Sequence, residues 1–271
     1  MDTTAAPRRS WIGDVGPFLL ASFGFSWGLW AVALLLGGDI ADPVVFALYA
    51  VGACGPSLAG LTIRLTSTGP RPPRPAGATR WLPAALLVGA GPGVAAAFAT
   101  PLFGGPAVDP STASGIVAGA GGLLPFLAFA LVAGPLAEEF GWRGHAQPVL
   151  RRSLSPAATS AVLGTIWALW HLPLFLLAGT YQAGMGLFTV QALGFFVSML
   201  PLSVCYWWVT ERLRGGVPAA VLLHLAGNLT LVLLAVQSVV GGSIFLAVLI
   251  LLAALLLWTQ PARQPEPAVS A

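Results

Sequence analysis

The chain has 271 residues, of which 57% are hydrophobic and only 8% charged, against about 25% charged in an average soluble protein. That much charge cannot cover a water-facing surface, so the composition excludes an ordinary soluble domain, excludes disorder, and points to an all-α, polytopic membrane protein. The net charge of +3 rests on 12 basic residues, all arginine and too scattered to track a phosphate backbone, so no nucleic-acid partner is expected.

A bilayer core about 30 Å thick takes about 20 apolar residues to cross as a helix. Eight segments qualify, roughly 15–37, 43–63, 81–101, 115–138, 156–178, 187–210, 217–238 and 240–258. The boundary between the last two, near Gly241-Gly242, is the weakest marked. Arg8-Arg9 precedes the first segment as in a signal peptide. Its apolar run exceeds the roughly 7–15 residues of a signal core and offers no small-residue cleavage site, so it reads as an uncleaved anchor. Cys54 and Cys205 fall inside apolar runs and behave as small hydrophobes.

With eight crossings, alternate loops are 1–14, 64–80, 139–155, 211–216 and 259–271, and they hold every arginine. The opposite loops hold Asp39, Asp42 and Asp109 and no arginine. Arginine gathers on the cytoplasmic side, so both termini are expected there, in a plasma membrane. The arginine-for-lysine bias and the abundant Ala, Gly and Pro suit a GC-rich bacterial genome. Three regions follow. Residues 1–80 make a two-helix membrane segment with a Pro/Arg-rich linker, 81–258 an embedded core, and 259–271 a polar cytoplasmic tail read as disordered.

An ionisable group at mid-bilayer costs at least about 2.5–3.5 kcal/mol on insertion scales, so such residues are functional candidates by default. Those left after the loops are set aside are Glu138, Glu139, His171 and His224, with the polar Asn228 one turn beyond His224 and Arg143 and His145 just past Glu139. Glu139 and Arg143 are four apart with the acid first, the favoured order for an ion pair on a helix. Glu138 points about 100° away and lacks that partner. Trp167 stands one turn before His171, on its face.

A carboxylate and two imidazoles with an amide beside them can hold and deprotonate a water, or hold a divalent metal such as zinc through Glu138, His171 and His224. Both readings stay open on the residues alone. At 1.5 Å per residue His171 lies about 22 Å into its helix and His224 about 10 Å. The groups therefore meet only if the fourth helix runs on through Arg143 to about Gln147. His145 reads as a solvated interfacial residue, and Gly115-x-x-x-Gly119 as a weak close-packing signal.

Glu138-Glu139…Arg143, Trp167…His171 and His224…Asn228 resemble, in order, the Glu-Glu-x-x-x-Arg, aromatic-x-x-x-His and His-x-x-x-Asn/Asp motifs of one family. These are the CAAX-protease and bacteriocin-processing membrane proteins, also called the Abi family, and the likeness covers about residues 120–235. The aromatic position, often Phe in that family, is Trp167 here. The resemblance implies an intramembrane endopeptidase of the kind commonly classed as metalloproteases. It implies that Glu138 and His171 activate the attacking water and that His224 and Asn228 stabilise the oxyanion or position that water. Glu139, Arg143 and Trp167 would be structural support.

The expected partners are the bilayer and membrane-associated peptides or protein termini, reached from the cytoplasm. Oligomeric state is not legible. The rival reading is a non-catalytic membrane protein, an immunity factor or envelope scaffold, in which the polar cluster only joins helices. A proton-coupled transporter would want ionisable relays along the whole path, and the front half has none.

Overall fold

The computed structural model describes residues 11–66, 79–236 and 238–259. The Arg8-Arg9 start, most of the 64–80 linker and the tail from residue 260 lie outside them. The described residues are helical, apart from connecting turns and one isolated bridge between Asp39 and Ala178. In chain order the helices are α1 (Trp11–Leu35), α2 (Pro43–Ala53), α3 (Gly55–Thr66), α4 (Trp81–Ala99) and α5 (Pro110–Gly119). Next come α6, continuous over Leu123–Arg151, and α7 (Pro156–Trp170). The series ends with α8 (Tyr181–Met185), α9 over Val190–Arg212, α10 (Gly216–Leu233) and α11 (Val239–Trp258). Seven are long and apolar enough to cross a membrane, and α2 with α3, bent by 44° at Cys54, brings the number to eight if the pair is one span. The chain is a multi-pass membrane protein.

The starts are fixed by local chemistry. Asp42 accepts the N–H groups of Val44 and Val45 ahead of Pro43, and Ser155 accepts that of Ala158 ahead of Pro156. Thr189 and Ser238 cap α9 and α11 in the same way. Each supplies an oxygen to orphan amides, and proline at the first helical position has no amide to lose.

The fourth span departs from its expected limits at both ends. It starts at Leu123 because Gly121 and Gly122, at φ +84° and +111°, break the chain from α5. Gly115 and Gly119 on α5 consequently face open space rather than a neighbouring helix. At the other end α6 runs past Arg143 to Arg151, as the depth argument required, so Arg143 sits inside the helix and not in a loop. Two π-helical stretches, Val132–Leu136 and Trp142–Ala146, interrupt it. Pro135 and Pro148 each lack an amide and would crowd the carbonyl four residues back, and widening the turn relieves this. The seventh span stops at Leu233. Ala235, at φ +50°, turns the chain, and Gly241-Gly242 falls inside α11.

Close backbone approaches set how the spans pack. A Cβ on Gly141 would stand 2.2 Å from the Pro56 carbonyl oxygen, and one on Gly60 would stand 2.9 Å from the Gly141 Cα. α3 and α6 therefore touch at the turn just after the paired glutamates. Ser57 adds a hydrogen bond to the Leu136 carbonyl at 2.8 Å. On the arginine-bearing side Glu211 of α9 accepts from Gln147 (3.0 Å), Arg151 (2.9 Å) and Trp207 (3.0 Å), tying α9 to α6. Gly141→Ala cannot be absorbed by a side-chain rotation, because backbone opposes it. Thermal unfolding in detergent is expected to show a loss of about 1–3 kcal/mol, the scale of overpacking; an unchanged melting temperature would refute this contact.

Candidate functional site

Glu138 and Glu139 lie on the α-helical turn of α6 between its two π stretches. Both are buried, yet they serve different partners. The Glu138 Oε2 accepts the Trp167 indole N–H at 2.7 Å. The Glu139 Oε1 accepts from His224 Nδ1 at 2.7 Å, and Glu139 also pairs with Arg143 at 3.3 Å. The expected i, i+4 pair is present, but the shorter bond of Glu139 reaches across to α10. Sequence spacing had offered only Arg143.

Arg143 sits between two rings, its guanidinium carbon 3.6 Å from the Tyr206 centroid and 4.2 Å from that of Trp167. Aromatic faces attract a cation, and more so when it is desolvated. His145, expected to be solvated, is instead half-buried against Phe18, with ring centroids 5.1 Å apart.

His171 terminates α7. Its backbone N–H turns to the Ala168 carbonyl at 3.1 Å, which leaves the Trp167 carbonyl to its own Nδ1 at 2.8 Å. A carbonyl can only accept, so the neutral His171 ring carries its proton on Nδ1 and Nε2 is the open position. Pro173 helps by turning the chain into the 3₁₀ stretch Leu172–Leu176. Trp167 thus holds Glu138 through its side chain and His171 through its backbone. In His224 the bond from Nδ1 to Glu139 likewise leaves Nε2 open.

A cavity of about 730 Å³ collects these groups. Glu138, Trp167, His171, Tyr206, His224 and Asn228 all line it. Gly134, in the first π stretch, lies against two of them. A Cβ there would come within 3.2 Å of Asn228 Nδ2 and 3.3 Å of His224 Nε2. Glycine keeps open the space into which those two nitrogens project. The four polar residues singled out by spacing therefore share one cavity, with Trp167 in its wall and Glu139 and Arg143 behind it. Tyr206 and Gly134 were missed: neither carries a charge at neutral pH, and only the three-dimensional packing brings them to the site.

For a metal, three donors must converge. Among the described residues no three His, Cys, Asp or Glu side chains stand together to hold an ion. Glu139 is taken by His224 and Arg143, and one Glu138 oxygen by Trp167. Glu138, His171 and His224, left open by the sequence as ligands, do not form such a group among the described residues.

Against known families, residues 120–230 match the model described as type II CAAX prenyl endopeptidase Rce1-like. A similar curated protein is the CAAX prenyl protease 2 of Methanococcus maripaludis, 32% identical over 111 residues, which are 41% of each chain. The aligned part spans about two fifths of that relative's length.

Proposed function

We propose, from a chain that belongs through residues 120–230 to the CAAX-protease and bacteriocin-processing family, that it is an intramembrane endopeptidase. Its water is activated by Glu138 with His171. The observation that carries this reading is the shared cavity, in which Glu138 and His171 are both anchored on Trp167 and face His224 and Asn228.

Peptide hydrolysis needs a water made nucleophilic and donors where negative charge develops. The free Glu138 oxygen accepts a proton from water while the bare His171 Nε2 orients it. The water oxygen bonds to the scissile carbonyl carbon, and the carbonyl electrons become an oxyanion. The Asn228 amide donates to that oxyanion. His224 Nε2 projects into the same space beside it. Collapse breaks the C–N bond, and Glu138 returns the proton to the departing amine. The products are a carboxylate and an amine.

The test is a reporter carrying a cleavable membrane-embedded segment, with and without chelator. His171→Ala is expected to lower cleavage at least 100-fold, within the range for loss of a group acting in proton transfer, while the protein stays folded. Chelator should leave the rate of the unaltered protein within twofold. Wild-type cleavage by His171→Ala sinks the role of that ring. Loss of activity in chelator, restored by zinc, sinks the side-chain-only chemistry.

A further inference from the structure

The cavity has a direction, and it is not the expected one. Most of its lining comes from the halves of the spans remote from their arginine-bearing ends. α6 lines it over 126–138 and not beyond, α7 from Trp167, α10 from Leu223 to Val232, and α11 from Val239 to Leu249. The lining residues that reach the outside of the molecule, Phe129, Tyr181, Val190, Leu193 and Val239, also lie in those halves or in the loop joining them. Glu138, His171 and His224 are buried at the inner end, each under 10% exposed.

The ends of the spans are marked by charge. Among the described residues Arg64, Arg80, Arg151, Arg152, Arg212 and Arg214 sit at one set of ends, and Asp39, Asp42 and Asp109 at the other. At the acidic ends Ala178 donates to the Gly38 carbonyl and accepts from Ile40, joining the loop before α2 to the loop before α8. Arginine retained on the cytoplasmic side puts the mouth on the far side.

We propose that the cavity is entered from the extracytoplasmic side of the membrane, and that its occupant is the outward-facing end of a membrane-anchored chain. This rests on the peptidase reading for what happens at the floor, but not for the route. The walls ask for an apolar segment: toward the mouth the polar lining is neutral, Gln182, Gln191, Ser238 and Ser243. Asn228 lies five residues and His224 nine from the mouth-side end of α10, which is about 8 and 14 Å down the helix at 1.5 Å per residue. An extended chain advances about 3.3–3.6 Å per residue, so the scissile bond enters roughly two to four residues deep. The cytoplasmic approach expected from sequence would instead have to pass the closed ends of α6 and α9, where Gln147, Arg151 and Glu211 are bonded together.

Two measurements test this on the full chain in bacterial cells stripped of their outer barriers. Single variants Gln182→Cys and Ser243→Cys at the mouth, and Ser153→Cys at the arginine end, are treated with a membrane-impermeant maleimide, with the unaltered protein as background. Labelling of the first two in intact cells, and of Ser153→Cys only after permeabilisation, is the expected result; the reverse pattern overturns the proposal. In parallel, a one-span reporter presents the same apolar cleavable segment at its outer or its inner end. Cleavage of the outer version at least tenfold faster supports the route, and preference for the inner version overturns it. If neither is cut while the labelling pattern holds, the route stands and the peptidase reading fails.

Discussion

Glu138→Gln is expected to abolish cleavage and leave the fold standing. The amide keeps an oxygen for the Trp167 N–H, which the carboxylate accepts at 2.7 Å, and fits the same volume. What it loses is the ability to take a proton from water. Removing a positioned general base lowers rates about 10²–10⁴-fold, so the cleavage rate of the reporter should fall by at least 100-fold. The melting temperature in detergent should stay within a few degrees of the unaltered protein. This separates the enzyme from the scaffold reading, in which Glu138 exists to join α6 to α7 and its replacement unfolds the bundle. A variant that melts early, with activity per folded molecule intact, would favour the scaffold.

The neighbouring acid should behave in the opposite way. Glu139 and Arg143 have fully buried side chains, and Glu139 is also the partner of His224 Nδ1. Glu139→Ala leaves a guanidinium inside the bundle with only two aromatic faces for company. Two of its nitrogens, Nε and Nη2, already lack hydrogen-bond partners. Breaking a buried ion pair from one side costs about 3–5 kcal/mol, largely the penalty of the charge left behind. Thermal unfolding should show a loss of that size.

The double variant Glu139→Ala/Arg143→Met removes both charges, and should recover part of the loss with a coupling above about 1 kcal/mol. Additive losses would mean that the two charges do not depend on one another. Activity is expected to fall as well, since the His224 ring loses the group that fixes its tautomer. Adjacent glutamates one helical step apart are thus predicted to differ, Glu138 in rate with the fold kept and Glu139 in stability and rate together.

The reason lies in what helical spacing specifies. A step of 100° places Glu138 and Glu139 on different faces, and that much was legible, as was the pairing of Glu139 with Arg143. Which helix would lie against each face was not. The carbonyl that orients His171 belongs to its own helix, at Trp167 one turn before it. The Glu139–His224 bond joins residues 85 positions apart and had no local signature. Tyr206 escaped notice because a lone tyrosine in an apolar run looks like core until Arg143 is found lying on its ring.

The sequence by itself determined that the chain lives in a membrane, roughly where it crosses, and which few polar residues stand inside the spans. Those follow from the cost of placing polar groups in hydrocarbon, a property of each residue and its near neighbours. The tertiary structure alone decided where α6 starts, which partner Glu139 prefers, and toward which end the cavity opens. Each of these depends on the approach of distant backbones, set by contacts such as Gly141 against Pro56, and packing between separate helices leaves no periodic trace along the chain.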